Sequence, residues 1–95
     1  MKIYISGPIT GIDDWKERFK AAEDDLKAQG HQVLTPRAID ADLDYEDYMR
    51  IDFAMVEVSD AIYLLDGWQN SNGAKRELAH AIELNLNVYR QGEEL

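Results

Sequence analysis

The feature that most constrains this chain is a regular alternation of short apolar runs with longer amphipathic segments. Four runs rich in β-branched and aromatic residues, "KIYIS", "HQVLTP", "DAIYLLDG" and "LNVYR", are separated by helical patterns over residues 13–29, 44–58 and 72–85. Repeated strand-helix-strand units of this length form right-handed crossovers on a parallel sheet. The pattern therefore predicts one α/β domain, residues 1–95, with helices on both faces of a four-stranded parallel sheet.

The order of the strands determines where such a domain binds a ligand. In the flavodoxin-like order 2-1-3-4, a three-layer sandwich of Rossmann-like type, a crevice opens between strands 1 and 3 at their carboxyl ends. Two loops rich in glycine and turn residues end there, "GPITG" after strand 1 and "DGWQNSNG" after strand 3. We expect the functional site between these two loops.

Composition and charge exclude several classes of partner. The chain has no cysteine, and ten Lys and Arg against 19 Asp and Glu give a formal net charge of −9. This charge repels a phosphate backbone, so extended nucleic acid is not an expected partner. Without a thiolate, a signal-peptide pattern or an apolar run of about 18 residues, we expect a cytoplasmic protein that does not bind a membrane.

Two predicted helices each place a carboxylate among apolar residues. Glu77 falls between Ala81 and Leu84 on its helix, inside an apolar arc that ends at Ile82. Asp52 likewise lies between two apolar lines of its own helix. Burial would raise the pKa of either group or demand a partner, as in a pair of catalytic carboxylates. The alternative is that both lie at the edge of their arcs with their tips in water.

The first loop and the last helix have the features of a ligand seat. Gly7 and Gly11 allow the backbone to approach a ligand closely. Ser71 is a good N-cap, and the free N–H groups beside it suit a phosphate or a sugar hydroxyl. Glycine after a strand is equally common in a tight turn, and "GPITG" matches neither a Walker A loop nor a GxGxxG fingerprint.

Three segments of the chain resemble the signature segments of the nucleoside 2-deoxyribosyltransferase-like family: "KIYISGPITG", "RIDFAMVEVSDAIYLLDG" and "SNGAKRELAHA". The family pattern joins Tyr-x-x-Gly-Pro, two Asp eight residues apart, and Ser-x-Gly-x-x-x-Glu-x-x-x-Ala. Its members include 2'-deoxynucleoside 5'-phosphate N-hydrolases and short phage-encoded relatives. The matching residues are Tyr4, Gly7, Pro8, Asp52, Asp60, Ser71, Gly73, Glu77 and Ala81.

The resemblance implies cleavage or exchange of an N-glycosidic bond in a 2-deoxyribonucleoside or its 5'-monophosphate, without a cofactor. Glu77 would attack C1' of the sugar, Asp52 would protonate the departing base, and Tyr4 would orient Glu77. Trp68 would stack on the base or, equally, cover an edge of the core, and Asp66 would contact a sugar hydroxyl. The candidate substrate-binding residues are Gly7, Pro8, Ile9, Ser71, Gly73, Asp66 and Trp68.

Some residues depart from the family pattern or carry weak signals. Pro8 and Thr10 stand where the nucleotide hydrolases carry Ser and Arg, and Arg37 or Lys75 would have to replace that basic contact. A non-catalytic protein that binds or sequesters a nucleotide on this scaffold is therefore the second hypothesis. Glu77-x-x-His80 resembles only half of a di-metal motif, so we expect no metal site.

The helix predicted over residues 44–58 carries two apolar lines roughly 135° apart. The first line is Tyr45, Met49, Phe53 and Val56. The second line is Tyr48, Ile51, Met55 and Val58. One helix cannot bury both lines on one small sheet, so we expect a homodimer or a larger homo-oligomer through this helix. The alternative is that the loop over residues 37–43 folds across the second line.

Overall fold

A computed structural model describes residues 1–95 as four strands and three α-helices in strict alternation. They are β1 (Lys2–Ser6), α1 (Trp15–Ala28), β2 (Gln32–Leu34), α2 (Tyr45–Glu57), β3 (Ala61–Leu64), α3 (Asn72–Glu83) and β4 (Asn87–Arg90). Short 3-10 helices, Pro36–Ala38 and Trp68–Asn70, follow β2 and β3. Each α-helix begins and ends within two residues of its predicted bounds. None of them is both long enough and apolar enough to cross a membrane.

The four strands form one parallel sheet in the order β2-β1-β3-β4, which confirms the predicted order 2-1-3-4. Tyr4 of β1 lies opposite Leu34 of β2 and Ile62 of β3. The two central strands, β1 and β3, are buried along almost their whole length, as expected of strands that are covered on both faces.

Alternation along the central strands divides the core into two layers. One layer packs beneath α1 and consists of Ile3, Ile5, Phe19, Ala22, Leu26, Ala61, Tyr63 and Leu65. The other packs beneath α2 and α3 and consists of Tyr4, Val56, Ile62, Leu64 and Ala81. Helices on both faces of the sheet confirm the three-layer sandwich.

The first apolar line of α2 is only partly buried. Met49 and Val56 are buried, with Asp52 between them. Tyr45 is predicted to pack on the sheet, but it is exposed, and its ring lies 5.5 Å from the guanidinium carbon of Arg76 on α3. The buried face of α2 therefore runs through Asp52 instead of Tyr45.

The second apolar line of α2 is divided between two environments. The hydroxyl of Tyr48 donates a hydrogen bond to the carbonyl of Ala41, so the preceding loop does fold over this end of the line. Met55 packs partly buried against the core. Ile51 and Val58 remain 40% and 55% exposed. The loop thus covers one member of the line and leaves an apolar strip further along the helix.

Candidate active site

A cavity of about 1080 Å³ opens at the carboxyl ends of β1 and β3. Residues 7–10 after β1 and residues 70–74 at the start of α3 form two of its walls, at the position that the strand order predicts for a crevice. The first turn of α1, the loop over residues 39–42 and the first turns of α2 close the other sides. A pocket of this size accommodates a ligand as large as a nucleoside.

Glu77 lines this cavity and is held by two hydroxyl groups of β1. Tyr4 Oη donates to Glu77 Oε2 over 2.9 Å, and Ser6 Oγ donates to Glu77 Oε1 over 2.6 Å. Tyr4 and Ser6 are two positions apart on a strand, so both side chains project from the same face of the sheet. The carboxyl group of Glu77 is thereby fixed in one orientation.

Asp52 lines the same cavity from α2. Its Oδ1 atom is buried and has no hydrogen-bond partner. Asp52 is only 5% exposed and Glu77 only 4%, so the alternative in which both tips reach water is wrong. A buried polar atom without a partner destabilises a fold by about 1–3 kcal/mol, and such atoms in native proteins often have a catalytic or binding role.

The two carboxyl groups perturb each other's ionisation. Burial raises the pKa of Glu77 well above its usual range, and the negative charge of Asp52 raises it further. Burial also raises the pKa of Asp52, although a hydrogen bond with Glu77 acts in the opposite direction. Because two buried like charges that interact resist simultaneous ionisation, the groups share a proton and titrate as a pair.

The hydroxyl donors indicate which member of the pair is better suited to carry the negative charge. Hydrogen bonds from Ser6 and Tyr4 lower the pKa of Glu77 against the effect of burial, because they favour its ionised form. Asp52 Oδ1 receives no such donor. Burial and the charges of Glu77 and Asp52 raise the pKa of Tyr4, so Tyr4 remains protonated and continues to donate. Ser6 and Tyr4 thus favour the ionised form of Glu77, whereas burial, the charge of Asp52 and the hydrogen bond with Asp52 favour its protonated form.

Five of the predicted substrate-binding residues line the cavity, namely Gly7, Pro8, Ile9, Ser71 and Gly73. Gly7 is required by packing, because a Cβ at this position would lie 2.8 Å from the Cβ of Leu65. Ser71 Oγ accepts a hydrogen bond from the amide of Ala74 over 3.1 Å and so caps α3. Its hydroxyl proton and the first amides of the helix are left for a ligand.

Comparison with known proteins gives a family and a fold. The family model described as "Domain of unknown function (DUF4406)" matches residues 1–90. The chain belongs to the DUF4406 family. A search of curated proteins finds no significant match.

Two solved structures resemble this DUF4406 protein. The 2-deoxyribosyltransferase of Leishmania mexicana superimposes with a TM-score of 0.75 at 20% identity, over 94% of this chain and 62% of that one. The 2-deoxyribosyltransferase of Bacillus psychrosaccharolyticus gives a TM-score of 0.73 at 23% identity, over 100% of this chain and 77% of that one. This likeness establishes the fold, and the chain spans less than two thirds of the Leishmania enzyme.

Two predicted substrate contacts of the DUF4406 chain lie outside the cavity. Gly67 has a φ of 87° and turns the chain after Asp66. Trp68 then packs, partly buried, against the core layer beneath α2 and α3. This position corresponds to the second of its two predicted roles, a cover over the edge of the core. The amide of Asp66 donates to Gln91 Oε1 over 2.8 Å, and the residue is exposed. The turn at Gly67 therefore explains why Asp66 and Trp68 do not line the cavity, where a substrate contact was expected for them.

Sequence reasoning missed several residues that line the site or hold it. Ser6 is one, although its position two residues after Tyr4 on a strand was a signal for it. The aromatic residues at the cavity are Trp15, Tyr45 and Tyr48, of which the apolar periodicity had placed Tyr45 against the sheet and Tyr48 at an interface. All three lie in the first turns of α1 and α2, and tertiary packing brings these turns to the cavity.

The other polar candidates of the DUF4406 chain have structural partners. Arg37 binds Glu23 Oε2 through two nitrogens, over 2.9 and 3.1 Å. Asp60 Oδ2 accepts from the amide of Lys2 over 2.8 Å and ties β3 to β1. His80 Nε2 lies 2.8 Å from Glu57 Oε2. None of these residues lines the cavity.

Proposed function

We propose that this protein cleaves or exchanges the N-glycosidic bond of a 2-deoxyribonucleoside or its 5'-monophosphate through a covalent glycosyl-Glu77 intermediate. The observation that carries the proposal is the buried carboxyl pair in one cavity, with Glu77 oriented by two hydroxyl donors and Asp52 unpartnered at one oxygen. The fold shared with two 2-deoxyribosyltransferases supports this class of substrate. The absence of cysteine fits a cytoplasmic setting.

In the first half of the reaction, a carboxylate oxygen of Glu77 attacks C1' of the sugar. A bond from C1' to this oxygen forms while the bond from C1' to the base nitrogen breaks, and the electron pair goes to the base. Asp52 gives its proton to the departing base. A 2-deoxyribose lacks the electron-withdrawing 2-hydroxyl and reaches an oxocarbenium-like transition state more readily, so a carboxylate and a proton donor supply most of the required chemistry.

In the second half, a water molecule or a second base attacks C1' on the glycosyl-enzyme. Asp52, now ionised, accepts the proton of the attacking nucleophile, and the bond between C1' and Glu77 breaks. Glu77 and Asp52 thereby return to their starting states. Water as the acceptor makes the protein a hydrolase, and a base makes it a transferase.

The walls of the cavity suit the remaining parts of this substrate. The hydroxyl of Ser71 and the amides of Asn72 and Gly73 lie at the N-terminus of α3, where hydrogen-bond donors suit the oxygen at the 5' position of the sugar. The rings of Trp15 and Tyr48 provide flat apolar surface for a base.

The experiment that tests the proposal incubates the protein with a panel of deoxynucleosides and their 5'-monophosphates, with and without an acceptor base. Chromatography then separates free base, free sugar and exchanged nucleoside. Hydrolysis without exchange identifies a hydrolase, and exchange identifies a transferase. The matching ribonucleosides serve as controls and should react more slowly.

The non-catalytic hypothesis gives a different result in the same experiment. If no substrate is turned over while one binds tightly, and Glu77→Ala leaves that binding unchanged, the protein is a binding protein and the proposal is wrong. Glu83→Gln, at an exposed glutamate of the same helix, is the matched control for this comparison.

A further inference from the structure

Acidic side chains outnumber basic side chains in the lining of the cavity. Four carboxyl groups line it, those of Asp40, Asp42, Asp52 and Glu77, against the single ammonium group of Lys16. Even with one proton shared between Asp52 and Glu77, the lining carries a net negative charge. A cleft lined mainly by charges of one sign disfavours a ligand that carries more charge of that sign.

The nearby guanidinium groups do not neutralise this lining. Arg37, which precedes the loop over residues 39–42, is held by Glu23 at 2.9 Å. Arg76, next to Glu77 in sequence, is held by Glu46 at 3.0 Å. Both cations are engaged in ion pairs outside the cavity.

Asp40 and Asp42 belong to a loop whose position is fixed. The residue between them, Ala41, accepts a hydrogen bond from the hydroxyl of Tyr48 on α2. Neither Asp40 nor Asp42 takes part in any of the six ion pairs of the chain. Two uncompensated carboxylates are therefore presented on one wall of the cavity.

We propose that Asp40 and Asp42 are specificity-determining residues that reject a 5'-phosphate, so that the substrate is the neutral 2-deoxyribonucleoside. This inference rests on the proposed function and specifies its substrate. The donors at the N-terminus of α3 suit a 5'-hydroxyl as well as a phosphate oxygen, so they do not by themselves select the charged ligand. A phosphate there would add its own negative charge to a cavity in which carboxyl groups already outnumber cations.

The test compares kcat/KM for a 2-deoxyribonucleoside and its 5'-monophosphate at low and at high ionic strength. We expect a preference for the nucleoside of about tenfold or more at low salt. Added salt should raise kcat/KM for the monophosphate by screening the repulsion, with little effect on the neutral nucleoside. The double variant Asp40→Asn/Asp42→Asn should reduce the preference about tenfold and remove most of the salt effect.

The double variant Asp25→Asn/Glu83→Gln is the matched control, since it changes the net charge equally at exposed positions outside the cavity. It should leave the preference as in the native protein. A monophosphate that is turned over as well as the nucleoside, with salt lowering its kcat/KM, would overturn the inference and leave the proposed function intact.

Measurements of ligand binding test the inference even if the protein turns over neither compound. If neither compound is cleaved, the proposed function fails, and calorimetric dissociation constants for the same two ligands replace kcat/KM. Tighter binding of the nucleoside, with the same response to salt and to Asp40→Asn/Asp42→Asn, supports the rejection of phosphate. Equal or tighter binding of the monophosphate, or binding of neither ligand, overturns it.

Discussion

Ser6 Oγ lies 2.6 Å from Glu77 Oε1 and joins two residues that are 71 positions apart in the chain. The bond links the last residue of β1 to the second turn of α3. Those elements meet because β1 lies next to β3 in the parallel sheet. The helix that follows β3 is α3, and it packs over the face of the sheet from which the side chain of Ser6 projects. The orientation of Glu77 thus depends on the packing of α3 against the sheet.

Ser6→Ala should weaken catalysis and move its pH dependence. The hydroxyl favours ionised Glu77, so its removal raises the pKa of Glu77 and shifts the acidic limb of the pH–rate profile to higher pH. A hydrogen bond to a charged group contributes about 1.5–3 kcal/mol, so the loss of kcat at neutral pH should be about tenfold to a hundredfold. Ser6→Thr retains a hydroxyl and should therefore retain most of the native kcat. An acidic limb unchanged in Ser6→Ala would contradict this role.

Glu77→Gln should lower turnover by several orders of magnitude, because an amide cannot form the glycosyl ester. Intact-protein mass spectrometry of acid-quenched reactions should detect a deoxyribosyl adduct in the native protein and none in the variant. Glu83→Gln, in the last turn of the same helix, should behave as the native protein does. An adduct that persists in Glu77→Gln would assign the nucleophile to another residue.

Asp52→Asn should lower kcat by about 10²–10⁴-fold for substrates whose base needs protonation to leave. The loss should be much smaller for a nucleoside whose base departs readily as an anion. We expect the basic limb of the pH–rate profile to follow loss of the proton that Asp52 and Glu77 share, and this limb should disappear in Asp52→Asn. A profile that keeps both limbs in Asp52→Asn would show that another group donates the proton.

Glu77→Gln should also alter how stability depends on pH. Burial, and then the charge of Asp52, raise the folded-state pKa of Glu77 above its unfolded value. The folded protein therefore binds more protons between those two pKa values, and its stability falls as the pH rises through that interval. Glutamine has no proton to lose, so the variant should gain stability relative to the native protein above about pH 4.3, by at most about 1.4 kcal/mol per pH unit.

Urea unfolding of both proteins at a series of pH values measures this difference directly. Glu83→Gln is again the appropriate control, because Glu83 is exposed. A difference in the free energy of unfolding that stays constant or shrinks with rising pH would mean that Glu77 is not buried as a proton-binding group.

The fold was predictable because the spacing of apolar residues within each segment indicates which of its side chains are buried. The apolar runs and helical stripes lie where the periodicity of each segment indicates, and the βαβ rule then leaves few possible topologies. Asp52 and Glu77 were visible for the same reason, since a carboxylate inside an apolar arc stands out in a helical pattern. What was predictable is the part of the structure determined within single elements.

The rest of the site depends on the course of the loops in three dimensions, and the spacing of apolar residues does not indicate that course. Tyr48 appeared to be an interface residue, but it donates to Ala41 of the loop that lines the cavity. The sequence left Trp68 equally suited to stack on a base or to cover an edge of the core, and after the left-handed turn at Gly67 it packs against the core. Local patterns identify buried side chains without identifying the segment that covers them.

The helix α2 carries an exposed apolar strip. Ile51 and Val58 are exposed one above the other on this helix, and Met55 lies between them, packed partly against the core. Exposed apolar side chains at helical spacing on one face favour self-association across a two-fold axis. We therefore expect a homodimer or a larger homo-oligomer through α2. Sedimentation at low micromolar concentration should give a mass above the 10.9 kDa of one chain.

Ile51→Lys should dissociate this oligomer, because it buries an unpaired ammonium group in the interface while leaving the fold of the monomer intact. Met55→Lys should do the same, although its partial burial makes it the less selective variant. Ile82→Lys is the matched control, since Ile82 is an exposed isoleucine on α3, 58% exposed against 40% for Ile51, and its replacement should leave the association unchanged. A native protein that sediments as a monomer, or an Ile51→Lys variant that associates as the native protein does, would exclude α2 as the interface.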